Sequence, residues 1–168
     1  MDDADPADAG TPYPPSNGGL IAGVGVDVVD VVRLTDSLAR TPALVDRLLT
    51  PSERGLSDAS RAARVAAKEA VGKALGHPGD FSWQDVTVER TEDARPYLVL
   101  RGATRTCADR LGVAHLHLSL SHDGGVATAI VVAERGAGAG EGPARAHRRA
   151  GRRTGTDRTG TDRAEGSV

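Results

Sequence analysis

Val65-Ala66-Ala67-Lys68-Glu69-Ala70-Val71-Gly72-Lys73-Ala74-Leu75-Gly76 closes the longest helix this chain spells out. The helix is expected over about Ser60–Leu75, where alanine, the best helix former, recurs and no proline intervenes. Gly76 stops it, with Pro78 just beyond. Its small side chains let it pack closely against a sheet. Glu69 and Lys73 stand four residues apart and share a face, with Ala62, Val65 and Ala66 on the turns before. As a surface ion pair they would contribute roughly 0.2–0.5 kcal/mol. The scarcity of lysine argues for more. The chain has 21 Lys plus Arg, yet Lys68 and Lys73 are its only lysines. An ammonium is a compact, mobile point charge that suits a single phosphoryl oxygen, whereas arginine presents a flat fork.

Upstream, Leu20–Val29 is an apolar run with period-two alternation and reads as a buried strand. A short helix follows at Asp30–Arg40, with Val31, Leu34 and Leu38 on one face and Arg33 and Arg40 opposite. A second covers about Ala43–Leu49. Thr50-Pro51-Ser52-Glu53 has the form of a capping box and announces another helical turn, which Gly55 ends. Downstream, Gln84–Arg90 and Pro96–Arg101 read as strands, and Ala103–Leu111 as a helix ending at Gly112. Ala114–Ser121 alternates strictly, and Asp123-Gly124-Gly125 turns the chain into Val126–Glu134. Mixed helices and strands, with hairpin-like pairs at the end, predict an α+β domain rather than a doubly wound sheet.

Composition bounds the rest. The 168 residues are 39% hydrophobic, 26% charged and 2% aromatic, so the core is expected to be Val, Leu and Ala, with Phe81, Trp83 and Tyr97 as rare large fillers. A formal net charge of −2 excludes a generic polyanion binder. Cys107 is the sole cysteine, which excludes a disulfide framework and fits a reducing compartment. No stretch approaches the ~20 apolar residues of a membrane span. The acidic start, MDDADPADAG, is no secretion signal, so a cytoplasmic location is expected. Residues 1–19 read as a disordered acidic leader and residues 20–135 as the domain. Residues 136–168 read as a disordered tail rich in Arg, Gly and Thr, with RTGTD at Arg153–Asp157 and again at Arg158–Asp162. That tail is the basis of a rival reading, a small non-enzymatic oligomer that binds RNA or an acidic partner; an unselected extension is the plainer account.

Two further places besides the helix carry chemistry. In Gly23-Val24-Gly25-Val26-Asp27-Val28 the valines face one side and the glycines and Asp27 the other, so open volume is expected beside Asp27. A carboxylate there needs a cation, a donor or an exit to water; capping the next helix is the plainer alternative. GxGxxG is absent, so this is no dinucleotide fingerprint. In His115-Leu116-His117-Leu118-Ser119-Leu120-Ser121-His122 the leucines line one face, and His115, His117, Ser119 and Ser121 the other. His122 stands at the strand end beside the turn. Hydroxyls and imidazoles together suit phosphate oxygens or a base, and equally a solvated strand face. Zinc is poorly supported at this i, i+2 spacing with no cysteine nearby. A Ser121–His122–Asp123 triad fails, because strand neighbours point apart and no GxSxG elbow exists.

Together and in this order, Gly23-Val24-Gly25-Val26-Asp27 with Arg33 six residues on, the stretch Ala66–Gly76, and Ser119-Leu120-Ser121-His122 resemble the holo-acyl-carrier-protein synthase family. These are small 4′-phosphopantetheinyl transferases, and the resemblance spans about Ile21 to Glu134. Val65 stands where the family often has Phe, and Ala94-Arg95-Pro96 where a Gly-Lys-Pro turn is usual. The resemblance implies the family fold, a mixed or antiparallel sheet wrapped around a long alanine-rich helix. It implies transfer of phosphopantetheine from coenzyme A to a serine of an apo acyl carrier protein, releasing adenosine 3′,5′-bisphosphate, for fatty-acid or polyketide synthesis. By the residue match Asp27 and Glu69 are the expected Mg²⁺ ligands and catalytic groups, and Lys73 meets a pyrophosphate oxygen. Lys68, Ser119, Ser121 and His122 are expected at the nucleotide, His122 also in catalysis. The general base stays open among water on the metal, Asp27 acting through a water, and the His122–Asp123 pair. Such chemistry asks mainly for positioning and charge neutralisation, which fits the lack of a protein nucleophile. An acidic carrier protein is expected on the Arg33/Arg40 face, with Arg47 near. The family's short members resemble trimers with active sites at subunit junctions, so a homotrimer is expected, with neither membrane nor nucleic acid as partner.

Overall fold

The computed structural model describes residues 19–137. The leader and tail expected at residues 1–19 and 136–168 lie outside it except at their inner edges. The order is β1 (Ile21–Asp30), α1 (Val31–Arg40), α2 (Ala43–Leu48), α3 (Asp58–Ala74), β2 (Val86–Arg90), β3 (Pro96–Leu100), α4 (Gly102–Arg110), β4 (Val113–Asp123) and β5 (Val126–Arg135), with a 3₁₀ turn at Trp83–Asp85. Strands β1, β5 and β4 form one antiparallel sheet in that order, and β2 and β3 form a separate hairpin. Helix α3 packs on β1, β5, β4 and β2, so an antiparallel α+β fold built around an alanine-rich helix is what the chain adopts.

Helix α3 begins two residues before the expected start, because Ser57 caps it by accepting from the Ser60 N–H at 3.4 Å. Its alanines 62, 63, 66, 67, 70 and 74 are buried. They permit backbone-to-backbone contact with β1. A Cβ added to Gly23 would stand 2.0 Å from the Ala74 carbonyl oxygen, and one added to Gly25 would stand 1.9 Å from that of Ala70. The volume expected to be open beside the glycines is therefore filled by the helix itself.

The same contact corrects the reading of β1 as a buried strand. Val24, Val26 and Val28 are 57%, 52% and 59% exposed, because the helix chose the face with no side chains in the way. On β4, Leu116, Leu118 and Leu120 pack inward on the core, whereas His115, His117, Ser119 and Ser121 are exposed. One outer sheet face thus carries the β1 valines, Ile130 of β5 and the polar row of β4.

Asp30, not Asp27, caps α1: its Oδ1 accepts from the Arg33 N–H at 2.8 Å. The helix buries Leu38 against Leu49 and Val65 and leaves Arg33 and Arg40 exposed, as its amphipathic pattern predicts. The Thr50–Glu53 box forms by half. Glu53 Oε2 accepts from the Thr50 N–H at 2.9 Å, and the expected turn forms over 51–55 and ends at Gly55 without growing into a helix. Glu53 instead turns inward, where its Oε1 accepts from the Val88 N–H at 3.0 Å and its Oε2 lies 2.6 Å from Lys68 Nζ.

Candidate active site

Each glycine of β1 marks a level on α3. Two residues of strand rise ~6.6 Å and four of helix ~6 Å, so the elements stay in step along the seam. Gly23 meets Ala74 and Gly25 meets Ala70, which puts Asp27 about one turn earlier. Glu69 and Lys73 flank that line, and helical side chains lean toward the N-terminus, the direction of Asp27. Lys73 Nζ donates to Asp27 Oδ1 at 2.9 Å and to the Val26 carbonyl at 2.8 Å. The pair is part-exposed, Lys73 by 40% and Asp27 by 19%. Glu69 Oε1 accepts from the indole N–H of Trp83 at 2.9 Å. Among the described residues, no hydrogen bond engages the second oxygen of Asp27 or of Glu69. Asp27 and Lys73 therefore meet at one solvent-reachable seam, and Glu69 stands one turn before Lys73 on the same helix.

Lys68 does not join them, a correction to the expectation at the nucleotide. It is fully buried, paired with Glu53, and donates to the carbonyls of Leu48 at 2.8 Å and Trp83 at 3.0 Å. One residue along a helix is a turn of about 100°, and that turn carries Lys68 from the seam into the core. Burial holds its ammonium below the ordinary 10.5, against the pull of Glu53.

Within one chain, Ser119, Ser121 and His122 also stand apart from the seam. Ser119 and Ser121 lie on the outer sheet face, opposite the helix. His122 pairs with Ala127 near the end of β4, with β5 between it and β1. The imidazole that does meet a carboxylate is that of His117, whose Nε2 lies 2.6 Å from Glu134 Oε2. Arg33, Arg40 and Arg47 are all exposed. One residue beside Glu69 escaped the sequence reading: Trp83, read as a core filler. The one signal for Trp83 was that it is the chain's sole tryptophan.

Asp27, Glu69 and Lys73 sum to a net charge of −1, a set that draws a cation rather than a bare phosphate. The family comparison is more specific. Residues 23–131 match the 4′-phosphopantetheinyl transferase superfamily. The holo-acyl-carrier-protein synthase of Beutenbergia cavernae is 56% identical over 116 residues, 69% of this chain and 100% of the relative. The crystal structure of the Neisseria meningitidis synthase superposes with a TM-score of 0.63 at 29% identity, covering 68% of this chain and 99% of that one. The Helicobacter pylori synthase, crystallised in complex with coenzyme A, gives 0.60 at 30% identity, covering 66% of this chain and 99% of that one. The chain belongs to the 4′-phosphopantetheinyl transferase superfamily, among its holo-acyl-carrier-protein synthases, and is a transferase.

Proposed function

We propose that this enzyme moves the 4′-phosphopantetheine arm of coenzyme A onto a serine of an apo acyl carrier protein, with Mg²⁺, and releases adenosine 3′,5′-bisphosphate. The carriers would be those of fatty-acid or polyketide synthesis. The observation that carries the reading is the Lys73–Asp27 contact beside the seam that Gly23 and Gly25 create, with Glu69 one helical turn before Lys73. The coenzyme A complex of the Helicobacter pylori relative supports the donor.

The donor set fits the ion. Mg²⁺ takes hard oxygens, typically one or two carboxylates, with water and substrate phosphates completing its shell. Asp27 and Glu69 each have one oxygen held by a neighbour and a second oxygen for the ion. When bound, the ion would neutralise charge on the diphosphate and orient it. Lys73 has three N–H donors, of which two are engaged on Asp27 and Val26, so the third serves a phosphoryl oxygen. In the reaction the serine oxygen bonds to the β-phosphorus and the P–O bond to the nucleotide's phosphate breaks. The serine proton passes to a base among the groups set out above. Lys73 offsets the negative charge of the departing phosphate.

Arg33, Arg40 and Arg47 would dock the acidic carrier, steering it to the seam. Ser119, Ser121 and His122 reach a nucleotide held at Asp27 only if a neighbouring copy brings them, so the working form is read as a homotrimer with sites at its junctions. The exposed valines of β1 and Ile130 supply an apolar face for that assembly.

The test is to incubate the protein with coenzyme A, Mg²⁺ and an apo carrier, then weigh the carrier. A gain of one phosphopantetheine is expected, and Asp27→Asn or Glu69→Gln is expected to abolish it. Full activity of either variant would overturn the metal assignment.

A further inference from the structure

The indole of Trp83 donates to Glu69 Oε1 at 2.9 Å across 14 residues of sequence. That indole is held by several neighbours besides. Its ring meets Phe81 edge-on at 5.8 Å between centroids, and the guanidinium of Arg47 lies 5.1 Å from its centroid. Its backbone carbonyl accepts from buried Lys68 at 3.0 Å. Its neighbour Gln84 ties the turn to α2, donating to the carbonyls of Asp46 at 2.8 Å and Leu49 at 3.0 Å. Ser82 caps the turn by accepting from the Gln84 N–H at 3.3 Å. A tryptophan serving only as filler needs none of this, and its N–H could point to water. Glu69 by contrast is a long, part-exposed side chain with three rotatable bonds and no other hydrogen-bond partner among the described residues.

We propose that Trp83 is a positioning residue for Glu69: its N–H pins one carboxylate oxygen so that the other is held for the cation at the Asp27 seam. The proposal rests on the transferase reading, because it takes Glu69 as a metal ligand. Partners that orient a ligating carboxylate from behind commonly matter by 10–100-fold in metal affinity or activity.

Trp83→Phe tests it, since Phe keeps an aromatic ring between Phe81 and Arg47 and removes the N–H along with the second ring of the indole. The probe is Mn²⁺, its free concentration read by electron paramagnetic resonance on the wild type, Trp83→Phe and Glu69→Gln. The expected result is about tenfold weaker Mn²⁺ binding in Trp83→Phe and a larger loss in Glu69→Gln. Transfer assays should show a raised Mg²⁺ requirement in Trp83→Phe, with activity recovering at saturating Mg²⁺, a rescue that loss of folded enzyme would not give. Since Trp83 is the only tryptophan, wild-type emission should also change saturably with Mg²⁺ and stay flat in Glu69→Gln. If Trp83→Phe binds Mn²⁺ like the wild type while Glu69→Gln does not, the positioning role is overturned and the transferase reading stands. If Glu69→Gln itself binds Mn²⁺ normally, the metal reading fails, and this inference with it.

Discussion

Replacing Lys68 with methionine separates two roles that its position beside Glu69 leaves confounded. If Lys68 held the nucleotide, Lys68→Met would raise KM for coenzyme A and leave the fold intact. The structure predicts the reverse. Methionine fills a similar volume but leaves Glu53, 1% exposed, without its counter-charge. Removing one member of a buried pair costs about 3–5 kcal/mol. The low end applies to the charge itself, because Glu53 still accepts from the N–H groups of Thr50 and Val88. The carbonyls of Leu48 and Trp83 lose a donor as well, at about 1 kcal/mol each. The total, about 5 kcal/mol, should lower the thermal midpoint by roughly 10–20 °C in a domain of this size. A double variant, Lys68→Met with Glu53→Gln, removes the orphaned charge and should recover about 2 kcal/mol. Urea melts at 25 °C measure the energies, and carrier mass shifts under varied coenzyme A measure KM, expected within about twofold of the wild type. A stable Lys68→Met with a KM raised tenfold would refute the buried-pair reasoning.

Four other outcomes follow from the same packing. Gly25→Ala drives a Cβ to 1.9 Å from the Ala70 carbonyl oxygen and should cost about 3 kcal/mol or more, with transfer lost as β1 lifts off α3, checked by denaturant melts and the mass assay. Gly72→Ala meets nothing nearer than 3.7 Å and should stabilise by about 0.5–1 kcal/mol through helix propensity, a gain a urea melt would detect. Ala94 holds φ at 65° in the β2–β3 turn, so Ala94→Gly should raise stability by about 0.5–1 kcal/mol, the relief of left-handed strain outweighing glycine's entropy. Because burial lowers the Lys68 pKa in the folded chain, the unfolded chain binds more protons between the folded value and 10.5. Wild-type stability should therefore rise relative to Lys68→Met as pH climbs through that window, and the gain should vanish as pH falls through the folded value.

Elements dictated by local chemistry were legible before the structure. Helix α3 lies where alanines run between Ser57 and Gly76, and α1 shows its leucine and arginine faces as spaced. The acid and lysine at Glu69 and Lys73 were legible because a four-residue spacing fixes a shared face. What could not be read was anything decided by a distant partner. Thr50–Glu53 has the letters of a helix start, but Glu53 is claimed by Lys68 and the Val88 N–H, which lie 15 and 35 residues away. Trp83 reaches Glu69 by a loop that no periodicity describes.

The face of β1 is the most instructive case. Strict alternation defines two faces and is silent on which one meets the helix. Reading valine as inside follows hydrophobicity alone, and here hydrophobicity is overruled by distance. An alanine-lined helix bonds its whole apolar stripe to a strand only at backbone contact, and only glycine opposite permits that. A Gly-x-Gly strand and an Ala-rich helix in one sequence are therefore two halves of one seam, and reading them together would have placed the glycines inside. The valines are left outward by that choice, an apolar row of a kind a lone domain of this size seldom exposes. The geometry that brings Asp27 to Lys73 thus also creates the surface on which a further copy of the chain would bury those valines, so the proposed catalytic seam and the proposed assembly have a single structural cause.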